Sequence, residues 1–405
     1  MRAIRAAHAF DGSRFLPDGA TVVWDEDRIV GVESGCATLP ESVEVSDYGG
    51  TVLPGLIDCH SHLVADATVG GLERAAAMPE QAIDQVIAES LATHAVAGVT
   101  TVRDLGDRAY RTLAFGERAG LPRVVASGPP ITTPGEHCHF LGGAVGGSDL
   151  GTSVAEHAER GVDVIKVMAS GGFATPGSDQ FGAQYGVAEL TNLVDTAHET
   201  GLPVVAHAHS LLGIQHALAA GVDGIEHFTG LAPEGARIGD GLLEAVARRG
   251  LYVDLTMGND RTLHAAMPAP PPPLAALLAS LGFTSLDALY DFQLSVLGRL
   301  REHGVVVVTG VDSGMAPPKQ HGNVWRAVSD MVEAGYPVAD ALAAATSVAA
   351  RVCGLENETG RLAAGCAADL LVVDGELSKN PLLLGSPQQV IMRGLPLPLG
   401  VRPLS

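Results

Sequence analysis

The sequence predicts an α/β protein, a (β/α)8 TIM barrel accompanied by a small β domain built from both chain ends. Three observations predict it. Eight short apolar segments alternate with stretches in which Ala, Glu and Leu recur at three- and four-residue spacing, over about 250 to 300 residues. No glycine-rich phosphate turn follows the first apolar segment, which disfavours an open doubly wound sheet. Both ends of the 405-residue chain read as short strands and turns rather than as further strand–helix units. A hydrophobic fraction of 46% with 50 Gly and few aromatics suits tight strand–helix turns and excludes a disordered chain.

In chain order, residues 1–52 carry an alternating stretch, ATVVWDEDRIVGVES. Turns recur at Asp11-Gly12, Pro17-Asp18-Gly19 and Asp25-Glu26-Asp27. The barrel is expected over 53–359. Its first strand is read as one buried segment, Val52–Asp58, running into His60-Ser61-His62. The other strands are expected at Val99–Asp104, Arg123–Ser127, Val162–Met168, Pro203–His207, Gly224–His227, Leu251–Leu255 and Val305–Gly310. Pro79–Ala97 and Val187–Thr200 are the clearest helical patterns. The one biased segment, MPAPPPP at 267–273, falls in a long excursion, from Gly258 to Asp291, that is expected to cover one end of the barrel. Residues 360–405 return to β character, with strands at Leu370–Val373 and Gln389–Met392.

A formal net charge of -21 argues against nucleic acid or an anionic membrane as partner and is otherwise a solubility device. Five widely spaced Cys with no CxxC point to a reducing compartment. The first residues lack the apolar core of a signal peptide, and no apolar run reaches membrane-spanning length. A cytoplasmic location is expected.

In such barrels, catalytic groups stand at the C-terminal ends of strands. The first strand ends in His60 and His62, which a period of two places on one side, within reach of one metal ion. The fourth carries Lys166 inside VIKVM. The fifth ends in His207, with His209 two residues on; the sixth ends in His227 and the eighth in Asp312. Each residue has a plain alternative: a satisfied core His, a snorkelling Lys, an Asp capping the next helix. Those alternatives would have to hold together at five strand ends. A buried ammonium beside a metal site is costly. A neutral lysine amine can instead take up carbon dioxide and become an anionic carbamate able to bridge two cations at the ~3.5–4 Å spacing of two-metal sites.

The sequence resembles the amidohydrolase superfamily of metal-dependent hydrolases, in particular its imidazolonepropionase-like and prolidase-like branch with a carboxylated lysine. The motifs are VLPGLIDCHSHL (52–63), GVTTVRDLG (98–106), VIKVMASGG (164–172), LPVVAHAHS (202–210), GVDGIEHF (221–228), TGVDSG (309–314) and GRLAAGCAADLLVVD (360–374), so the likeness spans nearly the whole chain. It implies that the two chain ends form a β-sandwich domain. It implies two divalent ions, zinc first with manganese or iron as alternatives. His60, His62 and Asp312 would hold one ion, His207 and His227 the other, and carboxylated Lys166 would bridge them. The reaction is then hydrolysis of a C–N bond of a small molecule by a hydroxide shared between the cations, with Asp312 shuttling the proton to the leaving nitrogen.

Further candidates stand on the loops. His137 and His139, in GEHCHF, would hydrogen-bond a developing oxyanion, although related enzymes carry a Gly-His element there. His209 would orient substrate or support the metal ligands. Arg103 would hold a substrate carboxylate, or else pair with Asp104 or Glu226; Arg261 is a second cation for that role. Tyr185, with Phe140, Phe173 and Phe181, would wall an apolar pocket. Two other readings compete. A mononuclear deaminase or imidazolone hydrolase commonly has a Glu where this chain has Ser210, and would leave Lys166 without a role. An inactive barrel used for assembly would lose ligands that are kept here. A homo-oligomer is compatible with the sequence but not specified by it.

Overall fold

The computed structural model describes residues 1–173 and 175–399; residues 400–405 of the expected C-terminal segment lie outside the described residues. Eight parallel strands carry the middle of the chain. They are β1 (Leu56–Ser61), β2 (Val99–Asp104), β3 (Arg123–Ala126), β4 (Ile165–Met168), β5 (Val204–Ser210), β6 (Gly224–Ala232), β7 (Tyr252–Asp254) and β8 (Val306–Val307). β1 to β3 form one hydrogen-bonded sheet and β4 to β8 another. The two meet at two seams. At one, the Ile131 amide donates to the Lys166 carbonyl at 2.8 Å, and the Met168 amide donates to Ile131. At the other, the Cys59 amide donates to Thr309 at 2.9 Å, and Ser61 bridges Ser313.

Helices α1 (Glu80–Val96), α2 (Leu150–Arg160), α3 (Val187–Glu199), α4 (Leu211–Ala220) and α5 (Asp240–Arg249) connect most of the strands. Their apolar faces pack on the strands: Leu190, Leu193, Val194 and Ala197 of α3 share a core with Ile165, Val204 and Ile225. The link between β2 and β3 departs from the pattern, with only a single-turn helix at Arg111–Phe115. Between β7 and β8 the chain makes the long excursion expected from its prolines. It builds α6 (Arg261–Ala266), α7 (Pro272–Ser280) and α8 (Leu286–Glu302). Pro272 and Pro273 open α7, where a missing N–H costs nothing. Among the described residues no helix is long and apolar enough to cross a membrane.

Both chain ends pair in one eight-stranded sheet. Its path runs Leu395–Leu397, Pro387–Met392, Leu370–Val373, Glu44–Pro54, Arg2–Phe10, Ala20–Asp25 and Arg28–Ser34, with Phe15–Leu16 added to Arg2–Phe10. Alternation divides its side chains between two cores. Leu53, Leu371 and Val373 join the main core, whereas Val52, Leu370 and Val372 pack with Ile4, Val22, Trp24 and Ile29 in a core of their own.

The expected single strand Val52–Asp58 is therefore two. Val52–Pro54 pairs antiparallel with Leu370–Val372, and only Leu56 onward pairs with β2. The break is at Gly55, whose amide donates to Asp369 at 2.9 Å and whose backbone lies against Thr100, leaving no space for a Cβ. An apolar run buried on both sides of a sheet junction has no sequence mark except that glycine. Gly55→Ala is expected to destabilise the protein by about 1–3 kcal/mol, as overpacking a filled site does; a thermal melt coincident with that of the unsubstituted protein would contradict this placement.

Candidate active site

The C-terminal ends of the strands open into a cavity of 310 Å³ lined by His60, His62, His137, Lys166, His207, His209, His227 and Asp312. His60 and His62 leave the end of β1 on the same side, ring centroids 5.4 Å apart, as the alternation requires. Asp312 follows β8 and brings a carboxylate oxygen to 3.2 Å from His62 Nε2 and 3.6 Å from His60 Nε2. His207, on β5, and His227, on β6, lie with their rings 4.4 Å apart. Several of these positions have left-handed backbone unusual for side-chain-bearing residues: φ is 70° at His227, 60° at Asp312 and 50° at Thr256. Such local strain collects at functional sites, because only a surrounding scaffold can hold it.

Each imidazole has one nitrogen spoken for. His60 Nδ1 meets Glu226 at 2.7 Å, His62 Nδ1 the Gly106 carbonyl at 3.1 Å, His227 Nδ1 Thr256 at 3.1 Å and His209 Nδ1 Thr229 at 2.9 Å. In His207 it is Nε2 that meets a carbonyl, that of Gly171 at 3.1 Å. A carboxylate or carbonyl partner fixes the tautomer at His60, His62 and His207; at His209 and His227 the threonine hydroxyl can accept the Nδ1 proton, which leaves Nε2 free to ligate. Burial holds His60, His207, His209 and His227 well below the usual imidazole range, so their free nitrogens carry lone pairs rather than protons. Asp312 is pushed up by burial but held below the ordinary carboxylate value by the His62 hydrogen bond and by Lys319 nearby. Two donor sets result, His60–His62–Asp312 and His207–His209–His227, each with its ligand atoms within 4.8 Å of one another. His62 differs: burial lowers it, but its hydrogen bond to Asp312 outweighs that and raises it, so its Nε2 must give up a proton before it can ligate. With that proton released, lone-pair nitrogens converging with an ionised carboxylate are the chemistry of a divalent cation site.

Lys166 lies among them on β4, 1% exposed, with Nζ buried and without a hydrogen-bond partner. Burial lowers its amine to about 8. An orphaned buried amine is costly, and its presence fits a group that is completed by something bound.

Three expected substrate or catalytic residues stand elsewhere. Arg103 is buried beneath the cavity, donating to the Cys59 carbonyl and Tyr252 hydroxyl at 2.7 Å and to Glu226 at 3.2 Å, so each of its three nitrogens is engaged inside the fold. Tyr185 is 3% exposed, and its hydroxyl donates to Val145. His139 is turned to solvent, because Cys138 before it adopts φ 58° and its own Nδ1 meets Glu136. Of the four aromatics expected at the mouth, only Phe173 lines the cavity, and Arg261 is an exposed partner of Glu333.

Glu226 pairs with Arg103, as one reading of the sequence expected, but its second role, orienting His60, was missed. Two further groups escaped the sequence reading altogether. Asp254, on β7, lies with Glu226 and His60 in a third cluster of acceptors. Lys319 donates to the carbonyls of Thr256 and Val311 at 2.8 Å and stands 3.9 Å from Asp312; nothing in its loop sequence marks it.

Comparison with known proteins agrees with this geometry. The chain is 29% identical over 358 residues to an uncharacterized protein of Mycobacterium tuberculosis, with 85% of each chain covered. It is 24% identical over 408 residues to ochratoxinase of Aspergillus niger, covering 91% of this chain and 78% of that one. A crystal structure of a prolidase complexed with N-methylphosphonate-L-proline superposes with a TM-score of 0.81 at 26% identity, over 98% of this chain and 99% of that one. The sequence profile of the amidohydrolase family matches residues 51–394, and the chain belongs to that family, as a hydrolase acting on C–N bonds.

Proposed function

We propose that the chain is a binuclear metal-dependent amidohydrolase that cleaves the amide bond of a small acyclic substrate with a sizeable apolar arm. The observation that carries the reading is the unpartnered Lys166 amine among lone-pair imidazoles and an ionised carboxylate. His60, His62 and Asp312 would hold one divalent ion and His207 and His227 the other, with Lys166, as its carbamate, between them. Zinc suits these ligands, and manganese or iron is compatible with them. When bound, the ions supply a nucleophilic hydroxide at neutral pH and polarise the scissile carbonyl.

The chain's own residues do the rest. Asp312 takes a proton and returns it to the leaving nitrogen, which departs only as a neutral amine. His137 serves the carbonyl oxygen. Its Nδ1 meets Thr175 Oγ1 at 3.1 Å, and that oxygen already accepts the Cys138 amide at 3.0 Å. In the tautomer this role needs, the Thr175 hydroxyl donates to His137 Nδ1 and Nε2 carries the proton. Glu226 keeps His60 in its tautomer, and Arg103 holds Glu226.

Much of the remaining wall is apolar, with Met168, Phe173, Leu274, Leu289 and Met315, while Thr229, Thr256, Asn259 and Gln293 add polar groups. No Arg lines it among the described residues, and Lys319 is the cation beside Asp312, so a substrate carries at most one carboxylate. One observation favours a variant of the metal arrangement: His209, rather than a lysine carbamate, completes a three-atom donor set with His207 and His227.

A substrate panel tests the reaction class. N-acyl amino acids, Xaa-Pro and other dipeptides, arylamides, phenylureas, cyclic imides and lactones are assayed with zinc and with manganese. Turnover is expected on acyclic amides. Turnover confined to lactones would overturn the assignment to an amide, and ammonia release from an aminated ring would favour a deaminase.

A further inference from the structure

A second cavity, of 590 Å³, lies beside the first, inside the excursion between β7 and β8. His264, Met267 and Leu286 line both. Beyond them the second cavity is walled by Ala275, Leu278 and Phe283 and by the prolines of the 267–273 segment, with Thr284, Ser285 and Asp287 as its polar members. Each cavity taken alone is within the ~300–1,000 Å³ of sites that take a small molecule. The reactive groups occupy the first, so the hydrolysed bond does not need the second.

The wall between them is built from separate elements. His264 and Met267 come from α6 and its end, and Leu286 is the first residue of α8. A polar contact joins them, His264 Nδ1 to Asp287 Oδ1 at 3.5 Å. Asp287 is largely exposed, and a polar contact open to water holds little. Met267 and Leu286 are flexible and apolar, and a thioether side chain refits around varied ligands. The sole basic side chain on the second cavity is His264, while Asp287 contributes a negative charge.

We propose that the second cavity is a substrate subsite: an extended, uncharged alkyl or aryl-alkyl arm passes from the scissile amide between Met267 and Leu286 and ends beside α7. The substrate class is thus an amide with a long apolar arm ending in a methyl or phenyl group, not in a carboxylate. The proposal rests on the amidase reading of the first cavity.

The test is a homologous series of amides, acetyl through dodecanoyl on one amine, and the converse series of acetamides of alkylamines. Two ω-carboxylated members of each are included. For the series whose arm enters the subsite, kcat/KM is expected to rise by about four-fold per methylene before levelling off, the worth of one buried CH2. The ω-carboxylates should fall well below their methyl-terminated counterparts. Ala275 lines the second cavity and not the first, and Ala275→Trp is expected to lower the dodecanoyl-to-acetyl ratio of kcat/KM by about tenfold or more. Should that variant fold poorly, the unsubstituted protein gives a second readout: decanamide should inhibit the acetyl substrate far more strongly than acetamide does. Flat profiles in both series, with measurable turnover, overturn the subsite and leave the amidase reading standing. Absence of turnover on every amide, with the metals loaded, overturns the amidase reading and this inference with it.

Discussion

Asp312→Asn is expected to lower kcat/KM by about 10²–10⁴-fold, the range that a positioned general acid–base contributes, with the fold intact. The substitution keeps the side chain's shape but removes both its negative charge and its ability to carry a proton. Asp312 lines the cavity rather than the core, and the backbone there is fixed by its own amide, which donates to the His60 carbonyl at 2.8 Å. The carboxylate is held ionised by His62 and Lys319. Its place between His62 and Lys319 is what the proton-transfer role requires, because a neutral carboxyl could not begin the cycle as a base. The measurement is kcat/KM on the best amide of the panel, with elemental analysis and a thermal melt on the same preparation. A variant within tenfold of the starting activity would assign the proton to another group, and a melt far below that of the unsubstituted protein would show that Asp312 supports the fold instead.

What the sequence disclosed follows from the period of the strands. Strand ends are short and apolar, so a His or Lys among Val and Ile stands out. The barrel rule then places all of them at one mouth, and six such residues line one cavity. The same rule left Arg103 open between a substrate carboxylate and a partner such as Glu226, because a strand has two faces and two depths, and in the structure it pairs with Glu226. Arg103 reaches inward beneath the His layer, to Cys59, Tyr252 and Glu226, where no substrate enters. Glu226 was considered only as its partner, although a buried acid beside a buried base is rarely without a further task, here the orientation of His60. The loop residues were illegible for another reason. Whether His137 or His139 faces the cavity is decided by the positive φ of Cys138 between them, and a lone non-glycine residue in that region leaves no compositional trace. Lys319 is positioned by two backbone carbonyls, of Val311 after β8 and of Thr256 after β7, the second of them 63 residues away.

Lys166→Met is expected to cost at least one of the two metal ions per chain and about 10³-fold or more in turnover, since the hydroxide, its orientation and the carbonyl's polarisation all depend on the ions. Met is chosen because it nearly matches the lysine stem in volume, so a loss cannot be ascribed to a cavity in the core. The metal-free variant should be at least as resistant to heat as the metal-free parent, because it no longer buries an amine that lacks a partner. Those two effects have opposite signs, and together they separate a ligand from a structural lysine: a residue needed for packing would lower both. His209→Ala, prepared in parallel, decides between the two arrangements of the second donor set. If Lys166 as its carbamate is the bridging ligand, growth with carbon-13-labelled bicarbonate should yield a carbamate resonance that is absent from Lys166→Met. His209→Ala should then retain both ions and lose mainly affinity for substrate. If His209 is the third ligand, the pattern reverses: His209→Ala loses an ion, Lys166→Met keeps two, and no carbamate signal is found. Two ions and undiminished turnover in Lys166→Met would end the case for the bridging carbamate.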